Sequence, residues 1–256
     1  MKIAVVIPSY KAADTLPGVI DTLPKELAES GGKAIIVNDG SPDNTGEIAD
    51  ELEKQHAHVI TVHHEKNRGY GGALKTGLSH GYDMGYEVFP VVHSDGQYAP
   101  HLALALCVPI LEGKSEIVQG SRFKGGGARE GGMPASRYFA NRALTTMENL
   151  VFGTKMAEFH SGYMVFSRKL LNEIPYQELQ NNYNFDAEMI VMAQLAGHRC
   201  TEIPIPTRYD DETSSLDPIP YGINVLKMMA RHTLGHYQRL LDEHTANSGS
   251  HGLATK

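Results

Sequence analysis

Val88-Phe89-Pro90-Val91-Val92 runs without a polar break into His93-Ser94-Asp95-Gly96-Gln97. An apolar run of this length reads as a buried strand. The polar residues behind it place chemistry at the strand's C-terminal end, where open α/β sheets build ligand sites. If the chain stays extended there, His93, Asp95 and Gln97 project to one side, because strand side chains repeat every two residues. An imidazole, a carboxylate and an amide oxygen form a partial coordination set that phosphate oxygens and water can complete around a divalent ion. The same residues also read as an Asp-Gly turn after a strand.

Outward from this stretch, short apolar runs alternate with helix-like periodicity. The pattern predicts strands at residues 2–7, 34–37, 59–63 and 88–92, and helices at 15–29, 45–55 and 71–81, with Asp14 or Thr15 as the cap of the first helix. Such alternation implies right-handed crossovers and an α/β fold, a mainly parallel sheet flanked by helices. The loops after strands one, two and four should then gather along one edge. Further on, strands are expected at 116–120, 163–166 and 200–205, and helices at 137–152, 187–196 and 221–241. The glycine-rich residues 125–132 read as a mobile loop, and the polar tail 243–256 as disordered.

Composition narrows the function. The 256 residues can enclose a substantial core, and 41% hydrophobic with 21% charged residues is ordinary for a soluble globular protein. No uninterrupted apolar stretch of about 18 residues exists to span a membrane. A net charge of −7 argues against a broad nucleic-acid-binding surface, though not against a few arginines focused on phosphates. Residues 1–8 lack a signal-peptide core, and Cys107 and Cys200 are far apart, so a reduced, cytoplasmic setting is expected.

Two more strand ends carry candidate chemistry. Asp39, in Val37-Asn38-Asp39-Gly40-Ser41, can accept hydrogen bonds from a ribose or base edge, or form an Asx turn into the next helix. Asn67-Arg68-Gly69-Tyr70-Gly71-Gly72-Ala73 follows a strand and opens a helix, where glycines permit close approach of a ligand and the helix N-terminus favours negative charge. The chain has no GxxxxGK[ST] phosphate loop, and its first strand does not lead into GxGxxG. An NTPase and a Rossmann dehydrogenase are thereby set aside.

Taken together, these segments resemble the inverting family 2 glycosyltransferases of the GT-A fold, and within them the polyprenyl- and dolichyl-phosphate sugar synthases. The resemblance rests on Val6-Ile7-Pro8-Ser9-Tyr10, on residues 37–45, on Asn67-Arg68-Gly69 and on Ser94-Asp95-Gly96-Gln97. It continues through Gly120-Ser121-Arg122-Phe123, Ser161-Gly162-Tyr163 and Phe185-Asp186-Ala187-Glu188, covering roughly residues 3–215. It implies one domain over residues 1–242, with a Rossmann-like nucleotide-sugar half at 1–98, an acceptor half at 99–215 and a helical segment at 216–242. It also implies a nucleoside diphosphate sugar as donor and a lipid phosphate or glycan precursor as acceptor. On the donor side it places Pro8, Tyr10, Asp39, Arg68, Ser94, Asp95 and Arg208. On the acceptor side it places Ser121, Arg122 and Arg137. Glu158 and Asp186 are the carboxylates that would orient or deprotonate an acceptor beside Asp95. The family's Asp-x-Asp metal element falls on His93-Ser94-Asp95, so Asp95 becomes the main metal ligand, supported by His93 and Gln97.

The departures from that pattern have consequences of their own. His93 replaces an Asp, which removes a negative charge, adds nitrogen and should favour Mn²⁺ over Mg²⁺ or weaken metal dependence altogether. Ala12 stands where many relatives have Glu, so one donor contact is absent. Arg208 precedes an acidic Tyr-Asp-Asp-Glu run rather than a short basic one. Asp186 also reads as a plain helix N-cap with Glu188 in the first turn. Lys227, Arg231, His232 and Arg239 lie among apolar residues of the last helix, which fits a peripheral contact with an anionic membrane face, a capping helix or a dimer contact. Two other classes compete with the transferase. One is a sugar-phosphate nucleotidyltransferase, whose glycine-rich N-terminal loop Pro8-Ser9-Tyr10-Lys11 does not supply. The other is a nucleotide-sugar-binding protein without turnover.

Overall fold

A computed structural model describes residues 2–206 and 218–251 of the chain. Its first half runs β1 (Ala4–Ser9), α1 (Leu16–Thr22), α2 (Lys25–Glu29), β2 (Lys33–Asn38), α3 (Thr45–Gln55), β3 (Val59–His63), α4 (Tyr70–Asp83) and β4 (Val88–Pro90). Then come α5 (Ala103–Leu111), β5 (Ile117–Ser121), α6 (Gly127–Glu130), α7 (Ala135–Phe152), β6 (Met164–Ser167) and α8 (Arg168–Glu173). The chain continues through α9 (Phe185–Leu195), β7 (Thr201–Pro204), α10 (Pro218–Thr233) and α11 (His236–His251).

Strands β1, β2 and β3 pair in parallel, with Val6 opposite Ile35 and Ile36 opposite Thr61. Bridges Ile3 to Val88 and Val6 to Val91 attach β1 to β4, which leads into the order β4-β6-β5-β7. Only β6 runs against its neighbours β4 and β5. The expected mainly parallel α/β sheet is therefore present, with one reversed strand in its second half. Both faces are covered. Ala4 and Val6 of β1 belong to one core with Leu74 of α4 and Met189 of α9, whereas Val5 and Ile7 belong to the other with Leu16, Ala49 and Leu106. Burial on two sides is why these strands read as unbroken apolar runs rather than alternating ones.

Several expected elements change where backbone chemistry intervenes. The helix expected over 15–29 is two helices, because Leu23 is extended (φ −61°, ψ 145°) ahead of Pro24. β4 closes at Pro90, although Val91 and Val92 still donate to Met164 and Val6 (2.8 and 3.0 Å). The glycine-rich segment is not a loose loop: a 3-10 turn at Lys124–Gly126 leads into α6, and the Ala128 amide donates to Arg122 O at 2.6 Å. The last helix breaks after Leu234 at Gly235 (φ +72°), and α11 then carries the chain to His251, so most of the tail expected to be disordered is helical. Arg208 lies outside the described residues.

α4 approaches the sheet through Gly77, where a Cβ would stand 2.4 Å from Val6 Cγ1 and 3.2 Å from Val37 Cγ2. Both neighbours are stiff β-branched chains, so neither can yield cheaply. Gly77→Ala should therefore lower stability by about 1–3 kcal/mol. Gly18→Ala in α1, with nothing within 4 Å, should raise it by about 0.4–1 kcal/mol. Denaturant melts of the two variants check both signs.

Candidate active site

Side-chain to backbone bonds knit the loops after β1, β2 and β4 into one edge. The Ala12 amide donates to Thr45 Oγ1 (2.9 Å), the Lys11 amide to Ser41 Oγ (3.2 Å), and Thr15 Oγ1 to Ser94 O (2.6 Å). Asp43 Oδ1 accepts from both the amide and the hydroxyl of Thr45, which holds its carboxyl below the usual range. Asp39 and Asp95 thus stand on the same edge of the sheet. Pro8 is buried within β1, Tyr10 is exposed beside it, and Lys11 takes a left-handed φ of +54°.

Asp39 is committed to the protein itself. Its Oδ1 faces His64 Nδ1 (2.6 Å) and accepts from the Arg68 amide (2.8 Å), while Oδ2 accepts from the Gly69 amide (2.9 Å). The carboxylate therefore fixes the turn that presents the exposed Arg68. The glycines of that turn also meet protein rather than open space. The Gly71 amide donates to Asn181 O at 2.9 Å, and a Cβ on Gly71 would stand 2.5 Å from Gln180 O. The N-terminus of α4, expected to face an anion, is closed by the loop preceding α9.

Beyond β4 the chain turns instead of staying extended. Gly96 takes φ +71°, and the Gln97 amide donates to Asp95 Oδ1 at 3.0 Å. Asp95 and Gln97 are left exposed, whereas His93 points inward, its Nε2 3.0 Å from the Tyr70 hydroxyl. That hydroxyl donates to Asp186 Oδ2 at 2.8 Å, and the other Asp186 oxygen has no hydrogen-bond partner. Burial pushes the Asp186 carboxyl up to about 8 and holds the His93 imidazole below its usual range. Asp186 is therefore a buried, partnered carboxyl, and Asn184 occupies the cap position of α9. Among the described residues, no three His, Cys, Asp or Glu side chains come together to hold an ion alone. One exposed carboxylate beside an imidazole does suit a divalent ion that takes its remaining ligands from substrate phosphates and water.

On the acceptor half the structure corrects two expectations. Glu158 is fully buried, and both its oxygens are engaged by Arg122, through the backbone amide (2.9 Å), Nε (2.8 Å) and Nη2. It positions Arg122 and is not a base open to an acceptor. Arg122 also donates to His160 O at 2.6 Å and is itself buried. Ser121 is fully buried, with Oγ accepting from the Lys124 amide (3.2 Å), so it shapes the turn rather than facing an acceptor. Ser94 is also buried, while Arg137 is exposed in the first turns of α7. Behind Glu158, Glu202 of β7 accepts from the amides of Ala157 and Glu158 (2.9 and 3.2 Å). Glu188 accepts from the Gln180 amide and the Tyr237 hydroxyl (2.7 and 2.6 Å), tying α11 to α9.

Tyr70, His64 and Glu202 escaped the sequence reading. Tyr70 sits inside a turn whose glycines drew the attention, and its partner Asp186 lies 116 positions away.

The chain matches the sequence profile described as Glycosyl transferase family 2 over residues 4–175. It is 30% identical over 221 residues to UDP-N-acetylglucosamine–dolichyl-phosphate N-acetylglucosaminyltransferase of Methanococcus voltae, covering 82% of this chain and 86% of that one. Undecaprenyl-phosphate mannosyltransferase of Micrococcus luteus is 27% identical over 206 residues, with 80% and 83% covered. Among solved structures, mannosyl-3-phosphoglycerate synthase from Rubrobacter xylanophilus superposes with a TM-score of 0.68 at 19% identity, covering 93% of this chain and 75% of that one. Glucosyl-3-phosphoglycerate synthase from Mycobacterium tuberculosis, in complex with Mn²⁺, UDP and glucosyl-3-phosphoglycerate, gives 0.61 at 20% identity, covering 92% and 80%. The structural likenesses carry the fold, and the profile runs through the loops after β1, β2 and β4. By fold and by sequence, the chain belongs to glycosyl transferase family 2 and has the GT-A architecture.

Proposed function

We propose that this enzyme transfers a sugar from a nucleoside diphosphate sugar to the phosphate of a polyprenyl phosphate, inverting the anomeric carbon. The observation that carries the reading is the Tyr70 bridge, which brings a buried carboxyl from α9 to the turn bearing Asp95. Relatives named for transfer to dolichyl and undecaprenyl phosphate support the acceptor class.

Pro8 and the exposed Tyr10 would border the nucleoside, and Arg68, held by Asp39, would face the diphosphate. A divalent cation bound at Asp95 and His93 would neutralise charge developing on the leaving diphosphate. Arg137, early in α7, would meet the acceptor phosphate with help from the positive end of the helix. A phosphate monoester has a second pKa of about 6, so near neutral pH it attacks without a strong base, and alignment matters most. Asp186, which holds its own proton near neutral pH, would act by fixing the Tyr70 hydroxyl and through it His93. Arg122, neutralised by Glu158, contributes a fixed donor geometry rather than net positive charge.

Asp95 is exposed, so Asp95→Asn should leave stability within about 0.5 kcal/mol of wild type. It should reduce transfer by at least about 100-fold. Near-normal turnover would refute its role. Asp186 gives a sign that can be checked. The folded chain holds a proton there up to about pH 8, whereas the unfolded chain releases it near its ordinary value of 3.8. Stability from this group is full at acid pH and declines as pH rises through that interval. Asp186→Asn should remove this slope from melting curves recorded across the interval.

His93 sets the expected metal preference. With Nε2–H directed at the Tyr70 oxygen, the neutral imidazole keeps its lone pair on Nδ1, a nitrogen suited to manganese more than to magnesium. Wild type should turn over faster with Mn²⁺ than with Mg²⁺, and His93→Asp should erase the difference. Equal wild-type rates at saturating metal would show that His93 stays out of the shell.

A further inference from the structure

Large exposed apolar side chains are concentrated on α7, α10 and the turn that follows α10. Phe139, Met147 and Leu150 of α7 are exposed, with Leu150 at 79% and Phe139 at 64%. With exposed Ala143 they recur every three or four positions, which places them on one helix face. Thr145, Glu148 and Phe152 are buried on the opposite face, so the apolar stripe looks straight out of the molecule. α10 repeats the arrangement, with Ile223, Leu226 and Ala230 exposed and Val225, Met228 and Met229 buried. Leu234, 74% exposed, extends that stripe into the turn. The two helices pack side by side, with Phe152 of α7 edge-on to His232 of α10 at 5.1 Å.

Charge separates this surface from the rest of the molecule. The chain carries 30 acidic residues and a net charge of −7. Yet α10 has no carboxylate, and the only one on α7, Glu148, is fully buried. The cations Arg142, Lys227 and Arg231 are exposed beside the stripes. An outward apolar face bordered by cations and cleared of acids is what an anionic lipid surface selects. A second copy of this chain would bring the same cations face to face. No helix of the described residues is long and apolar enough to cross a bilayer, so the contact is one of lying on the surface.

We propose that the paired outer faces of α7 and α10 form the surface by which this enzyme rests on an anionic membrane, with Phe139, Leu150 and Leu226 entering the headgroup layer. This extends to α7 the membrane contact that is one of three readings of the last helix, since α7 carries an apolar stripe of equal length. It deepens the lipid-phosphate reading, since Arg137 lies two residues before Phe139 at the N-terminal end of the same helix. The test uses no transfer step, so the two readings can fail separately.

Flotation of the full chain with phosphatidylcholine vesicles containing about one third phosphatidylglycerol should carry the protein upward, and vesicles of phosphatidylcholine alone should not. The double variant Leu150→Glu/Leu226→Glu should lose vesicle binding by at least about tenfold, and Arg142→Gln/Lys227→Gln should weaken it in a salt-dependent way. All four positions are exposed, so melting temperatures should match wild type. Wild type remaining in the lower fraction with anionic vesicles would overturn the proposal. So would a stable dimer in sedimentation that the double glutamate variant dissociates, because the surface would then belong to a second copy.

Discussion

A sheet covered by helices on both faces confines ionisable side chains mainly to strand ends, and the candidate site follows from that restriction. The strands around β1 are buried along their length, so ionisable groups collect where the chain leaves them. Because β1, β2 and β4 run the same way, those exits coincide. Thr15, Thr45 and Ser94 then fasten the loops to one another rather than to solvent.

Within that edge, buried polar groups act mainly by holding position. Asp39 keeps the Arg68 turn closed, Glu158 fixes Arg122, and Glu202 fixes the loop that carries Glu158. Buried ion pairs of this kind add little net stability, because desolvation offsets much of their attraction. Their effect lies in geometry: each guanidinium or amide is allowed one direction. The Tyr70 hydroxyl differs, since it accepts from an imidazole and donates to a carboxyl, and the state of one end constrains the other.

Much of this was legible in the sequence. The α3 and β3 boundaries coincide with the expected residues 45–55 and 59–63, because periodicity and flanking turns agree there. The gathering of Asp39 and Asp95 on one edge followed from strand direction alone. Misreadings arose where a local rule met a distant partner. The glycines at 69–72 signal close approach, but only the fold reveals that the approaching group is the backbone at Asn181. An extended His93–Gln97 was a sound inference from alternation, yet Gly96 permitted a turn that alternation cannot register. Glu158 looked like an available acid because its burial against Arg122 depends on a β5 exit 36 positions earlier.

The family profile stops at residue 175, but parts of the working edge do not. Asp186 arrives on α9, Glu202 supports Arg122's partner from β7, and Glu188 is braced by Tyr237 of α11. A chimera built by exchanging residues 4–175 between relatives would inherit a donor half cut off from its carboxyl and its buttress. The unit held together by these contacts therefore extends past the recognisable family segment, at least to Tyr237 of α11.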